Sequence, residues 1–307
     1  MSRLCTGPPF RQAPGSPSRI VVGWSALIMA VSFTAACVNT QALLTQLVEA
    51  RRLTSNLHVE FTRASDAANR AVMADTDEAS AAAADEARQA RQAVERDLQV
   101  LQPMLESLGY REDMKYLEGF RTRFDEYRRL DDEILPLAVE NTNLKAQRLS
   151  FSPAREAADA FRASIEGAVR SSGVKNSCCA DALATKAVAA LLEIQVLQAP
   201  HIAESEDQVM TRLEQRMAAS EAVARKSLEQ LKAVVPGAAA PQLASAVAAL
   251  DRFKAINDEL IVLSRRNSNV RSLALSLGRK RVVVAECEDQ LRALEQALAK
   301  HGFTATR

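Results

Sequence analysis

The stretch LDDEILPLAVENTNLKAQRLSFS, Leu130 to Ser152, returns 126 residues later as INDELIVLSRRNSNVRSLALSLG, Ile256 to Gly278. Seven of the 23 aligned positions are identical, Asn141/Asn267 and Asn143/Asn269 among them, and several others exchange one apolar residue for another or Lys145 for Arg271. The register extends upstream without a gap through Leu117/Leu243, Asp125/Asp251 and Tyr127/Phe253. A repeat of this length implies two copies of one structural unit that face the same packing problem.

Leu130, Ile134, Leu137, Asn141, Leu144, Arg148 and Phe151 follow steps of four and three, as do Ile256, Leu260, Leu263, Asn267, Val270, Ala274 and Leu277. That spacing predicts the seam of a packed helix. Asn141 and Asn267 then each place an amide in the seam, where it must be hydrogen-bonded or cost about 1–3 kcal/mol. Two readings stand. Either each Asn pairs with a facing helix and fixes register, or Asn141 with Lys145 and Asn267 with Arg271, one turn apart, offer donors to a small anionic or polar ligand held between helices. Asn143 and Asn269 join them as candidate ligand-binding residues.

Working outward, ten glycines and ten prolines in 307 residues, with 4% aromatics, describe long packed helices. The fold class expected is all-α: an N-terminal transmembrane helix followed by two tandem antiparallel four-helix units in an elongated rod. A formal charge of +1 without a basic stripe or aromatic platform argues against a nucleic-acid partner. Residues 1–18, rich in proline and glycine, form a disordered cytoplasmic arm. Residues 19–40 follow as an anchor, because Ile20 to Val38 is apolar enough to span a bilayer. Arg3, Arg11 and Arg19 precede it with no acidic residue, which keeps the amino terminus in the cytoplasm and puts the bulk of the chain outside. The segment is read as a retained span, with lipidation at Cys37 and cleavage near Ala36 as the alternatives.

The first unit is expected over 41–172. Asp75 and Glu78 have capping-box spacing ahead of a second helix, Gly109 ends it, and Ser152-Pro153 starts a fourth. The second unit spans 178–301, with stops at Pro200 and at Pro236-Gly237. Catalysis finds no support: His58, His201 and His301 are scattered, and no phosphate loop, nucleophile elbow, metal-ligand spacing or C-x-x-C occurs. No cofactor or metal is expected. Of the cysteines beyond the anchor, Cys178 or Cys179 paired with Cys287 is a possible disulfide.

The runs NRAVMADTDEAS (Asn69 to Ser80), FDEYRRLDDEIL (Phe124 to Leu135) and AVENTNLKAQRLSFSPAREAADAF (Ala138 to Phe161) resemble the four-helix-bundle sensory domain of methyl-accepting chemotaxis proteins. The resemblance covers residues 20 to 170 and, through the repeat, 180 to 301. It implies a periplasmic ligand-sensing bundle on the bacterial inner membrane, a homodimer or the partner of a membrane receptor. The sequence carries no second apolar span and no cytoplasmic hairpin with methylatable pairs, so signalling by the chain alone is not implied. The alternative is a structural periplasmic rod or lipoprotein scaffold that binds another envelope protein.

Overall fold

A computed structural model describes the backbone of residues 21–171 and 177–304 and the side chains of residues 41–171 and 178–301. Its helices are α1 (Val21–Met73), α2 (Asp77–Leu108), α3 (Arg111–Glu140), α4 (Thr142–Leu149), α5 (Arg155–Ser171), α6 (Ser177–Ala203), α7 (Asp207–Val234), α8 (Ala240–Arg266), α9 (Ser268–Leu275) and α10 (Arg281–Thr304). The π-helical turns Ser150–Ala154 and Ser276–Lys280 join α4 to α5 and α9 to α10, and a 3-10 turn, Gly237–Ala239, precedes α8. The described residues contain no strand, so the chain is all-helical. Among them, no helix is long and apolar enough to cross a membrane. The arm at 1–18, and the side chains of the expected anchor at 19–40 with Cys37, lie outside the described residues.

Local chemistry fixes the helix ends. Thr76 caps α2 by accepting the Ala79 amide at 3.1 Å, with Asp77 and Glu78 at the positive end of the helix dipole. The capping residue is therefore Thr76 and not Asp75. Gly109, at φ 71°, closes the same helix as expected. Pro200 does not stop α6, which continues to Ala203.

The two largest hydrophobic cores among the described residues do not follow the boundaries of the repeat. The first joins Leu57 and Phe61 of α1, Val94 and Leu101 of α2, and Phe120, Phe124 and Tyr127 of α3 to Val283, Leu291 and Leu294 of α10. The second joins Ala187 and Leu191 of α6, Ala224 and Leu228 of α7, and Leu250 and Phe253 of α8 to Phe161 and Ile165 of α5. Where the sequence expects 41–172 and 178–301 each to complete its own unit, each core takes its fourth helix from the other copy. The reason lies in the connections: α3 runs through α4 and a π-turn straight into α5, and α8 through α9 into α10, so neither path turns back on its own bundle. The expected fresh start at Ser152-Pro153 is instead a π-turn, a wider turn that carries a proline lacking the amide an α-ladder needs.

The exchange also separates the thiols. Cys287 is buried in the first core while Cys178 and Cys179 are exposed at the start of α6, and all three are free. The disulfide considered from sequence does not form.

Candidate functional site at the crossing of the long helices

Asn141 and Asn267 do not lie in continuous helices. Each adopts the left-handed conformation, φ 50° and ψ 38° at Asn141 and φ 56° and ψ 36° at Asn267, and ends one helix where another begins. Asparagine tolerates this region better than other residues with a Cβ. A left-handed residue cannot cap the helix it precedes, and neither Asn makes a side-chain cap bond to α4 or α9. The first amides of those helices must find acceptors elsewhere.

They find them in the other copy. The Thr142 amide donates to Ser268 Oγ at 3.0 Å and the Ser268 amide to Thr142 Oγ1 at 3.0 Å. The Asn143 amide donates to Asn269 Oδ1 and the Asn269 amide to Asn143 Oδ1, both at 3.1 Å. Each of these partners is 126 residues away, the spacing of the repeat. A residue that bonds reciprocally to its own copy lies on a twofold axis, so the chain is an internal pseudo-dimer whose axis passes through this layer. Glu140 and Arg266, also copies of one another, close the rim with a bidentate pair at 2.7 and 2.6 Å. The Arg266 guanidinium holds the Glu140 carboxyl below its ordinary range.

The side-chain amides close the layer further. Asn143 Nδ2 donates to Ile202 O at 2.7 Å and to Asn267 Oδ1 at 2.8 Å, and Asn269 Nδ2 donates to Asn141 Oδ1 at 2.9 Å. Asn267 Nδ2 reaches Glu204 O at 2.6 Å, whereas Asn141 Nδ2 is buried without a partner. The α6–α7 loop, which begins one helical turn later than the α1–α2 loop, explains the difference. It leaves the Glu204 carbonyl outside any helix, while the corresponding Glu78 already lies in α2.

Asn141, Asn143, Asn267 and Asn269 are thus brought together and bond to one another and to the Ile202 and Glu204 carbonyls. Lys145 and Arg271 do not converge with them. Lys145 Nζ turns back to Glu140 O at 2.8 Å and lies 3.8 Å from Asp77, and Arg271 is exposed. Of the two readings of the layer, the geometry is that of register and trans-capping.

A second polar cluster escaped the sequence reading. Lys280, at the end of the second π-turn, is 1% exposed, and its Nζ lies 2.6 Å from Oδ1 of the fully buried Asp131 and 5.2 Å from the Tyr127 ring centroid. Lys280 and Asp131 form a buried ion pair beside the Tyr127 ring. Burial first, then the Asp131 charge, pushes the Tyr127 phenol well above its usual range. The available signal was positional: Tyr127, Asp131, Ile134 and Ala138 share one helix face, so Asp131 interrupts an apolar stripe. In the second core the same positions hold Phe253, Asn257 and Ala154. There Gln198 Nε2 donates to Asn257 Oδ1 at 2.9 Å and Ser150 Oγ to Gln198 Oε1 at 2.7 Å.

His201, fully buried, lies 2.9 Å from Ser264 Oγ and 2.8 Å from Glu214, whose carboxyl Arg265 holds below its ordinary range. The described residues contain no group of three side chains suited to a metal ion. The sequence matches no protein-family model and no curated protein.

Proposed function

We propose that this chain is a membrane-anchored extracytoplasmic sensory module of the chemoreceptor kind, two tandem helical units in a rod on the bacterial inner membrane, without catalytic activity. The observation that supports this reading is continuity. Two helical paths, residues 111–171 and 240–304, each contribute to both cores and cross at the polar layer. A shift of one path within the first core therefore displaces a helix of the second, and packed interfaces convert such shifts into discrete changes. The layer acts as the pivot, because its trans-capping bonds hold both paths at one point.

The test combines topology with coupling. In a membrane preparation, protease added from the periplasmic side should cut residues after 41 while sparing the amino terminus. Spin labels at Val59 on α1 and Val223 on α7, both exposed, should change separation when a screened organic acid or amino acid raises the melting temperature. Protection of the bulk of the chain from outside, or binding with no change in separation, overturns the reading. A structural rod pairing with a second copy or another envelope protein has its own support. Leu43, Leu44 and Val48 of α1 are 46%, 48% and 63% exposed, an apolar face beyond the first core.

A further inference from the structure

Helix α6 is apolar on two faces. Ala184, Ala187, Leu191 and Ile194 lie in the second core. On the opposite side Cys178, Ala182, Thr185, Ala189, Leu192 and Val196 follow steps of four and three, every one of them exposed, and Ala199 and Ala203 continue the pattern. Leu192 is 44% and Val196 72% exposed. A helix that is apolar all round is ordinarily buried, and steps of four and three mark a seam along which one helix winds on another. A groove of about 440 Å³ between α5 and α6, with Ile165, Val169, Val188 and Leu192 in its lining, borders this seam.

The repeat provides an internal comparison. The corresponding face of α1, 126 residues earlier, holds Asn56, Val59, Arg63, Asp66, Arg70 and Met73. Arg63 and Arg70 there pair with Glu86 of α2, as on a solvated face. The fold therefore requires no apolar surface at this position, and α6 carries one that its own chain leaves uncovered. The flanking charges identify what covers it. Asp181 and Lys186 are exposed, stand on opposite edges of the seam and have no ion-pair partner among the described residues. With Ala182 and Ala189 at heptad position a and Thr185 and Leu192 at d, Asp181 is a g residue and Lys186 the next e residue. In a parallel pair of identical helices each g residue meets the e residue five positions on in its partner. Asp181 of either chain then meets Lys186 of the other. An antiparallel pair would instead bring Lys186 to Glu193, which is already bonded within the chain to Ser220 and Arg216.

We propose that a second copy of this chain packs on α6 to give a parallel, isologous dimer. Leu192 and Val196 meet their own copies across the twofold, and Ala182 and Ala189 let the two helices approach closely. Two Asp181–Lys186 pairs, one on each side, set the register. The parallel sense keeps both amino termini at one end, as two chains anchored in a single membrane need. The dimer itself does not rest on the anchor or on the sensory reading above.

The test is sedimentation of the purified full chain in detergent over about a hundredfold range of concentration, across which the wild type should pass from monomer to dimer. The variant L192E/V196E changes only exposed side chains, so it should keep its circular dichroism and stay monomeric. Lys186→Asp should weaken dimerisation by at least about fivefold, and D181K/K186D should restore it. In membranes, with Cys5→Ser and Cys37→Ser as background, copper–phenanthroline should join two chains through Cys178, the oxidant taking the two electrons as the disulfide forms. Chains that keep Cys178 should crosslink at least about tenfold faster than chains that keep only Cys179, because Cys178 begins the seam and Cys179 lies on its edge. A monomer at every concentration, an undiminished dimer in L192E/V196E or Lys186→Asp, no recovery in D181K/K186D, or equal crosslinking through the two cysteines overturns the proposal. A monomer that holds a different protein on this face overturns it as well.

Discussion

Substituting Asn267 by alanine and by glycine separates two views of the helix in which it lies, because they demand opposite orders of stability. In a continuous right-handed helix, alanine is better than glycine by about 1 kcal/mol. At φ 56° and ψ 36°, a residue with a Cβ costs roughly 1–2 kcal/mol that glycine does not incur. Both variants lose the bond from Nδ2 to Glu204 O and the acceptor for Asn143 Nδ2, about 1 kcal/mol each. Asn143 Nδ2 retains Ile202 O, so it is not orphaned. Asn267→Gly should therefore cost about 2 kcal/mol and Asn267→Ala about 3–4 kcal/mol. Urea unfolding followed by circular dichroism, with equal slopes for both variants, reads the difference directly. If Asn267→Ala is as stable as Asn267→Gly or more stable, the helix is unbroken at this point and the trans-capping argument fails.

Asp131→Ala should destabilise by roughly 3–5 kcal/mol because Lys280 stays buried without its counter-charge, while Asp131→Asn with Lys280→Met should recover most of that loss; urea midpoints for both compare them. Asn141→Gly should cost only about 1 kcal/mol in the same assay, half the cost at Asn267, since its carboxamide accepts one bond and its Nδ2 donates none. Glu214 is held below its ordinary value of 4.5 by Arg265. Its contribution to stability is thus fully present above that pH and is lost as pH falls through the lower folded value. Arg265→Met should weaken this acid dependence, measured by thermal melts between pH 6 and the acid limit of folding, and a slope identical to wild type would refute the assignment. Burial pushes the Cys287 thiol far up, so iodoacetamide and mass spectrometry should find Cys178 and Cys179 modified in the native state and Cys287 only after unfolding.

The helical pattern was legible because period and composition are local properties. The stripe from Leu130 through Ile134 and Leu137 and the stop at Gly109 need only neighbouring residues to be read, and the match of each residue with its copy 126 positions on needs only the sequence laid against itself. Asn141 and Asn267 were legible as special positions and misread in conformation. A seam amide and a left-handed helix end both select asparagine, and the seven-residue pattern runs through either. Lys280 was invisible for a different reason: nothing near it in sequence shows that its partner, Asp131, lies in the other copy.

The sequence alone determined that this chain is helical, that it is built twice, and that four asparagines stand at corresponding places in the two copies, since these follow from spacing along one strand of residues. Only the tertiary structure decided which copy supplies the fourth helix of each core and that the asparagines bond to one another. It also decided that one half, unlike the other, buries a lysine against an aspartate. Those are contacts between segments more than a hundred residues apart, and their choice rests on where a left-handed residue and a π-turn send the helix next.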